Sequence, residues 1–308
     1  MNLSYVKIFP IFASHKNVKQ TISENMLAKL TPFLSILFFL GLFSCEHTSK
    51  NNKPDGKTAI AVPQLKVQKS NPLLIELENL KKDKNFQDAS IGYVIMDCTN
   101  GKHEIVAECN PTGLFIPAST QKLLTTGAAL EIFGDQISRQ VFMTNQNSLN
   151  WLANKLLKKV GEEKYHKRDF ENGCKAVAEF WQEKGLDTTG LKIIDGSGLS
   201  KDNSLSPKIL TDVLLYMMTS PHNYIFYNSL PLSGISGTLK HYTNGTSAEG
   251  MIRAKTGTVA GVKSFAGYAN TLSGKKLVFA IIVNNITCRA KDLKKKIESV
   301  FVRMAEYE

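Results

Sequence analysis

The sequence contains few histidines, and no two of them stand at a metal-binding spacing. The six histidines are scattered along 308 residues, without a His-x-x-x-His pair. The five cysteines, at residues 45, 98, 109, 174 and 288, match no zinc-site spacing either. The sequence therefore does not predict a zinc enzyme, and we expect no cofactor.

The chain also lacks a basic run interleaved with aromatic residues. It carries 38 Lys and Arg against 27 Asp and Glu, a net charge of +11. Without such a run, this excess does not predict nucleic-acid binding. A basic surface equally suits anionic polymers of a cell envelope or lipid. The hydrophobic content of 43% is ordinary for a globular protein.

A run of 14 apolar residues at 30–43 is too short for a membrane-spanning helix, which needs about 20 residues. Lys29 precedes this run and LFSC ends it, as is typical of a signal peptide with a bacterial lipoprotein cleavage site. We therefore predict a signal peptide over 1–45, with Met26 as the expected start and Cys45 as the lipidated residue. An ordinary secretory signal or a buried helix is the alternative.

The residues after the predicted lipidation site are polar and rich in lysine and asparagine, EHTSKNNKPDGKT. This composition predicts a flexible tether over 46–70, followed by one domain over 71–308. The expected localisation is the periplasm, on a lipid anchor in a bacterial membrane. That oxidising compartment permits disulfides but does not require them.

Both ends of the predicted domain contain strands, and its middle is helical. Asn100-Gly101 between two apolar runs predicts a hairpin over 91–108. Three further strands are predicted at 251–259, 262–270 and 276–284. Helices are predicted at 71–83, 119–133, 148–160, 170–184, 206–218 and 293–304.

This order of elements predicts an α+β fold, in the broad sense α/β, with one antiparallel sheet built from both chain ends. The terminal helices would cover one face of the sheet, and the helix that begins at Ser119 would cover the other. The helical part, about 119–220, would meet the sheet at a cleft, which is the expected place for a site.

The stretch PASTQKLLTT places Ser119 and Lys122 three residues apart at a helix start. Such residues share a face, so the Lys122 amine can approach the Ser119 hydroxyl and act as its base when buried. The helix N-terminus offers N–H groups to an oxyanion. Alternatively, Ser119 or Thr120 only caps the helix and Lys122 is solvated. The pattern alone is not specific, because a second copy, Ser273 to Lys276, lies in a predicted turn.

A second motif, NSLNWLANKL, places Ser148 and Asn150 at another helix start. Both side chains could act on a substrate there. Taken alone, the motif is equally compatible with Asn147 or Ser148 as a simple N-cap.

A third motif, AKTGT, lies on a predicted strand. Lys255 offers a positive charge, Thr256 and Thr258 offer hydroxyls to a carboxylate, and Gly257 lets a ligand backbone approach closely. The alternative is a strand end with a solvated lysine.

Together, Ser-x-x-Lys, Ser-x-Asn and Lys-Thr-Gly resemble the penicillin-interacting serine enzymes. The stretches IPASTQKLLTTGAALEIFG, DGSGLSKDN, LPLSGISGTL and RAKTGTVAGVKSFAGY are similar to the D-alanyl-D-alanine carboxypeptidase/endopeptidase family, the class C low-molecular-mass penicillin-binding proteins. The resemblance runs from about residue 70 to the C-terminus. It implies a β-lactamase/transpeptidase-like fold and acyl transfer on peptidoglycan stem peptides, with β-lactams as covalent inhibitors.

The resemblance also implies a role for each motif residue. Ser119 would attack the carbonyl of the penultimate D-alanine, with Lys122 as its base. Ser148 would relay a proton to the leaving amine, Asn150 would bind the substrate amide, and Lys255 would support the electrostatics.

The threonines of the third motif, Thr256 and Thr258, would hold the terminal carboxylate of the substrate. The N–H groups of Ser119 and Thr258 would form the oxyanion hole. Asp195 and the glycines around Ser197 are interpreted as a structural turn near the cleft, because the Gly-x-Ser-x-Gly spacing of a nucleophile elbow is absent there.

Two departures from the family pattern bear on turnover. Family members usually carry a long insertion between the first two motifs, whereas here Ser148 follows Ser119 by 29 residues. Ser236 stands where the family commonly has aspartate. A shortened, catalytically impaired relative that binds muropeptide or penicillin is therefore the alternative. A β-lactamase ranks lower, because no matching glutamate motif lies between Asn150 and Lys255.

Overall fold

The computed structural model describes residues 71–308. The predicted signal peptide, the predicted lipidation site Cys45 and the predicted tether over 46–70 lie outside these residues. Within 71–308, no helix is long and apolar enough to cross a membrane.

Both ends of this region contribute strands to one antiparallel sheet of five strands. Its spatial order is β2-β1-β5-β4-β3. The strands are β1 (Ser90–Asp97), β2 (Glu104–Cys109), β3 (Ile252–Val259), β4 (Val262–Asn270) and β5 (Lys276–Asn284). The N-terminal hairpin therefore pairs with the last strand, and β3, which carries the Lys-Thr-Gly motif, forms an edge.

The predicted hairpin forms because its turn residues tolerate a left-handed backbone. Asn100 and Gly101 have φ values of 57° and 76° between β1 and β2, a conformation that asparagine and glycine adopt most easily. β1 is buried on both faces, as its unbroken apolar sequence predicts.

One face of the sheet is covered by the two terminal helices, α1 (Pro72–Lys82) and α8 (Ala290–Ala305). Asn71 caps α1 by accepting a hydrogen bond from the Leu73 N–H. In the core of this face, Phe301 of α8 packs edge-on against Phe265 and Phe279 of the sheet, with ring centroids 5.4 and 5.8 Å apart.

The other face carries the helical part of the chain. Its helices are α2 (Lys122–Phe133), α3 (Ser138–Gln146), α4 (Asn150–Tyr165), α5 (Phe170–Glu183), α6 (Pro207–Thr219) and α7 (Asn223–Ser229). The helix that packs directly on β5 and β1 is α6, whereas α2 meets the sheet mainly through the preceding turn, 118–121. The predicted fold class is confirmed, but the layer next to the sheet belongs to α6.

Two local predictions in the helical part were wrong. The helix predicted over 148–160, with Gly161 as the residue expected to end it, continues as α4 to Tyr165. Gly161 lies inside the helix because α5 crosses there, and a Cβ on Gly161 would lie 2.5 Å from the Gly173 nitrogen. The sequence analysis also predicts no helix between 218 and 293, whereas Asn223–Ser229 forms α7 and buries Phe226.

Candidate active site

The predicted nucleophile lies on a single turn of 3₁₀-helix, Ala118–Gln121, directly before α2. The i and i+3 side chains of a 3₁₀ turn eclipse one another. Lys122 follows as the first residue of α2, and its Nζ lies 2.8 Å from Ser119 Oγ. The turn begins at Ala118, whose φ of 48° is rare for a residue with a side chain and places strain beside the site.

Side chains of β4 and β5 hold this turn against the sheet. The Asn284 amide, at the end of β5, donates to the Ile116 carbonyl and accepts from the Ile116 N–H, at 3.1 and 2.8 Å. The Pro117 carbonyl accepts from Ser264 of β4 and from Thr120, at 2.6 and 2.7 Å. The position of Ser119 is therefore set by β4 and β5 as well as by its own helix.

The Lys122 side chain is fully buried and its amine has three hydrogen-bond partners. Besides Ser119 Oγ, it contacts Asn150 Oδ1 and the Ser197 carbonyl, both at 2.7 Å. An ammonium group has three donors, so each donor has an acceptor. A neutral amine can keep two of these bonds and turn its lone pair towards the Ser119 hydroxyl.

Burial lowers the pKa of Lys122 to about 7, although the negative charge of Asp195 opposes this shift. A charged amine loses its hydration in such a place, which favours the neutral form. Near neutral pH, both forms are populated. The amine can therefore accept a proton and return it, as a general base and acid must do.

The second motif meets the third at the Ser148 hydroxyl. Ser148 lies between α3 and α4 with a φ of 55°, and its Oγ accepts from Lys255 Nζ at 2.9 Å. Lys255 is fully buried and also donates to the Thr256 carbonyl at 2.7 Å. The pKa of Lys255 lies well below its usual value. Burial is the largest cause, and the nearby positive charges of Lys122 and Lys263 add to it.

The 28 residues between Ser119 and Ser148 bring the second motif back to the first. They form α2 and α3, and buried Asn145 of α3 bonds Ser229 Oγ of α7 at 2.8 Å. Next to it, the Gln146 side-chain oxygen accepts from Ser236 at 3.3 Å. The predicted short connection therefore does not keep Ser148 away from the other motifs.

Gly257 allows β3 to approach the Ser119 turn. A Cβ at this position would lie 2.1 Å from Ser264 Oγ, 2.8 Å from the Pro117 carbonyl oxygen and 2.9 Å from the Ser119 nitrogen. The sequence prediction assigned the close approach to a ligand backbone. In the structure, the neighbouring backbone is the protein's own.

The edge of β3 presents backbone groups beside Ser119. In an antiparallel strand, the N–H and C=O groups of one residue point to the same side of the strand, and this side alternates from one residue to the next. Residues two apart therefore direct these groups to the same side. Ile252 and Ala254 use their outward groups to bond Ser233 and Pro231. Along the same unbroken register, Thr258 directs its N–H outward too. Thr258 lies three residues after Lys255, which binds Ser148, so an N–H donor faces the open edge at the site.

The two threonines of the third motif differ in their partners. Thr256 is buried and donates to Thr238 Oγ1 at 2.8 Å. Thr258 is exposed, and its hydroxyl accepts from Lys263 Nζ at 2.7 Å. Thr258 is therefore the threonine that is open to solvent and linked to a positive charge.

The turn around Asp195 also lies beside Lys122. The carboxylate accepts from the N–H groups of Ser197, Gly198 and Ser200 at 2.8, 2.8 and 2.9 Å. Burial alone would raise its pKa, but hydrogen bonds from the Ser197 hydroxyl, the Ser200 N–H, the Asn203 amide and the Ser197 N–H lower it to about 2. The turn thereby directs the Ser197 carbonyl at the Lys122 amine, which confirms it as a structural turn at the site.

Sequence reasoning missed two residues that support the site. Asn284 ends a strand and gave no motif. Buried Gln121, inside the Ser-x-x-Lys motif, donates to the Asp195 carbonyl and, at 2.9 Å, to Asn203 Oδ1. For Gln121, the available sequence signal was a polar residue at a helix position that should be buried. Because buried amides require hydrogen-bond partners, such a residue indicates a supporting role.

A model of the D-Ala-D-Ala carboxypeptidase 3 (S13) family matches residues 73–143 and 138–307 of this chain. These segments include all three motifs, and the chain therefore belongs to this family. The junction between the two matched segments falls between Ser119 and Ser148, where the sequence predicts that the family's long insertion is missing.

Curated relatives cover part of the chain at moderate identity. The D-alanyl-D-alanine carboxypeptidase of Actinomadura sp. (strain R39) is 33% identical over 188 residues, which are 58% of this chain and 34% of that protein. Carboxypeptidase DacB of Mycolicibacterium smegmatis is 36% identical over 155 residues, 48% of this chain and 34% of that protein. The chain thus spans about a third of the length of these relatives.

The fold is similar to that in a crystal structure of penicillin binding protein 4 from Haemophilus influenzae in complex with a β-lactam. The TM-score is 0.62 at 14% identity, and the match covers 76% of this chain and 97% of that one. This likeness places the chain in the fold of penicillin-binding proteins, as the sequence resemblance implies.

Proposed function

We propose that this chain is a serine-type D-Ala-D-Ala carboxypeptidase/endopeptidase that acts on peptidoglycan stem peptides through a Ser119 acyl-enzyme. The observation that carries the proposal is the buried Lys122 amine, 2.8 Å from Ser119 Oγ and with a pKa lowered to about 7. Membership of the S13 family and the names of the relatives support the reaction.

In the acylation step, Ser119 Oγ attacks the carbonyl carbon of the penultimate D-alanine. Its proton passes to the neutral Lys122 amine, which retains its bonds to Asn150 and Ser197. The carbonyl oxygen becomes an oxyanion that the N–H groups of Ser119 and Thr258 stabilise.

Collapse of the tetrahedral intermediate breaks the peptide bond and leaves the acyl group on Ser119. Ser148 relays the proton held by Lys122 to the leaving amine: its hydroxyl gives a proton to the amine and takes one from the Lys122 ammonium, which returns to the neutral amine. Lys255, 2.9 Å from that hydroxyl, stabilises the charge that develops on it. Asn150 binds the substrate amide, while Thr256 and Thr258 hold the terminal carboxylate. Water then hydrolyses the ester, and a β-lactam acylates Ser119 as a substrate analogue.

The first test is covalent labelling of the full chain, purified in detergent, with a fluorescent penicillin. We expect the wild type to be labelled and Ser119→Ala to remain unlabelled. Ser273→Ala is the matched control, because it removes the serine of the second Ser-x-x-Lys copy in the turn between β4 and β5. We expect the Ser273→Ala variant to be labelled to the same extent as the wild type. No label on folded wild-type protein would contradict the proposal.

Turnover is tested by D-alanine release from a diacyl-L-Lys-D-Ala-D-Ala peptide. Release that Ser119→Ala abolishes would support the carboxypeptidase. Labelling without release, together with muropeptide binding that survives in Ser119→Ala, would favour the alternative of a muropeptide- or penicillin-binding protein. Rapid hydrolysis of a chromogenic β-lactam would favour the third candidate, a β-lactamase.

The proposed location is the periplasm, with a lipid anchor on Cys45. The sequence pattern LFSC supports it. The intact mass of the protein from a bacterial host should correspond to a chain that begins at Cys45 with added acyl groups, and Cys45→Ala should abolish that mass. An unmodified mass from the same host would contradict the anchor.

A further inference from the structure

A cavity of about 430 Å³ lies between the β3–β4 hairpin and the first turns of α8. Its walls are partly apolar, with Phe265, Leu293 and Ile297 among them. Thr258 lines one side of it. The cavity thus shares a residue with the proposed carboxylate site, although none of the three motifs predicted it.

The polar part of the lining is basic. Lys263, Lys291 and Lys294 all line the cavity. Lys294 has a carboxylate partner, Glu298, at 3.6 Å. None of the ion pairs among the described residues includes Lys263 or Lys291. Two of the three positive charges therefore have no ion-pair partner within residues 71–308.

Lys263 is the better placed of these two. It is half-buried, its Nζ donates to Thr258 Oγ1 at 2.7 Å, and it lies 5.4 and 5.9 Å from the ring centroids of Phe265 and Tyr242. A hydroxyl and two aromatic faces replace only part of an ammonium group's hydration, and buried charges are normally paired. An anion in the cavity would complete this environment.

The start of α8 adds to the positive potential. Ala290 and Lys291, its first two residues, line the cavity, and N–H groups at a helix start favour an anion. The acidic residue of this turn, Asp292, is paired with Arg289 at 2.8 Å. The charges around the cavity are therefore predominantly positive.

We propose that this cavity is a subsite for a second carboxylate, carried by the side chain of the residue that leaves during the reaction. The inference rests on the proposed function, in which Thr258 holds the α-carboxylate of that residue. Gly257 faces Ser119, whereas the next residue, Thr258, faces the cavity on the α8 side of the sheet. Because β3 is an edge strand, a leaving residue held at Thr258 can direct its side chain around this open edge to Lys263. The site should then favour a dicarboxylic D-residue over D-alanine as leaving group.

Binding can be measured without turnover in the Ser119→Ala variant. Two fluorescent peptides, one ending in D-Ala-D-Ala and one in D-Ala-D-Glu, are titrated by fluorescence anisotropy. We expect the D-Glu peptide to bind about three- to tenfold more tightly, in the range of a partly exposed charge-assisted hydrogen bond. The preference should decrease as salt is added.

Lysine variants in the same background test whether the cavity is responsible. Lys291→Gln should reduce the preference for the D-Glu peptide to about twofold or less, and Lys263→Gln should do the same. Lys167→Gln removes an equal charge from an exposed position between α4 and α5 and should leave the preference intact. The kcat/KM ratio for the two peptides should change in parallel in the Ser119 enzyme.

The outcomes separate the two proposals. If both peptides bind equally, or if the preference survives in Lys291→Gln and Lys263→Gln, the subsite is wrong and the proposed function stands. If neither peptide binds, the proposed function fails, and the subsite inference fails with it.

Discussion

The Cβ that Gly257 lacks would lie 2.9 Å from the backbone nitrogen of Ser119. This contact joins the third motif to the first, which lie 138 residues apart in the sequence. The two backbones are close enough for the N–H groups of Ser119 and Thr258 to act on one oxygen atom, and a glycine is what permits the approach.

We predict that Gly257→Ala separates the two backbones. The added methyl group meets Ser264 Oγ at 2.1 Å and the Pro117 oxygen at 2.8 Å, which are fixed by their own hydrogen bonds. Overpacking of this kind costs about 1–3 kcal/mol. Denaturant unfolding should show that loss, and penicillin labelling should be abolished.

Gly274→Ala serves as the control for that variant. Gly274 also has a restricted backbone, with a φ of 85°, but no atom lies within 4 Å of its missing Cβ. It should lose about 1 kcal/mol of stability through backbone strain alone and keep labelling. Normal labelling of Gly257→Ala would contradict the role of this contact.

The labelling rate should depend on the protonation of Lys122. Burial lowers its pKa to about 7, and only the neutral amine can take the Ser119 proton. The rate of penicillin acylation should therefore rise as pH increases through about 7 and then level off. A rate that is constant between pH 5 and pH 9 (about two units on either side) would exclude Lys122 as the base.

Asp195→Asn should affect both stability and this pH profile. The folded-state pKa of Asp195, about 2, lies below its ordinary value of 3.8, so its ionised form stabilises the fold above that value and the stabilisation is lost as pH falls towards 2. Asparagine keeps one acceptor oxygen, but its NH2 group cannot accept the bonds that Oδ2 receives from the Ser200 N–H and the Asn203 amide. We therefore expect a loss of about 2 kcal/mol or more at pH 7.

The same variant removes a charge that raises the pKa of Lys122. The midpoint of the labelling profile should therefore move to lower pH, provided that the protein still folds. Calorimetric unfolding and stopped-flow labelling measure the two effects separately. A midpoint that moves to higher pH would contradict the electrostatic link between Asp195 and Lys122.

Gly161→Ala tests the packing of α4 on α5. Helix propensity alone would make alanine more stable by about 1 kcal/mol. The added Cβ would lie 2.5 Å from the Gly173 nitrogen, a backbone atom that cannot move aside cheaply. We expect net destabilisation of about 1–3 kcal/mol in denaturant unfolding. Exposed Glu163→Ala, in the same turn, should change stability by less than about 0.5 kcal/mol, and stabilisation by Gly161→Ala would contradict the packing argument.

The sequence predicted the five strands and the order of the helices because these depend on local patterns. Alternating or continuous apolar runs, Asn100-Gly101 and the Ser206-Pro207 start are each read within about ten residues. The prediction was wrong where a distant neighbour decides the local structure. Gly161 would end an isolated helix, but α5 packs against it and the helix continues.

The sequence by itself determined the fold class, the family resemblance and the residue types available for acyl transfer. Only the tertiary structure decided which Ser-x-x-Lys copy has a buried amine. Ser119–Lys122 lies between the Asp195 turn and α4, whereas Ser273–Lys276 lies in an exposed turn. The physical reason is that the pKa of Lys122 depends on burial, and burial comes from contacts such as that of the Lys122 amine with the Ser197 carbonyl, 75 residues away in the sequence. No local pattern in the sequence encodes such a contact.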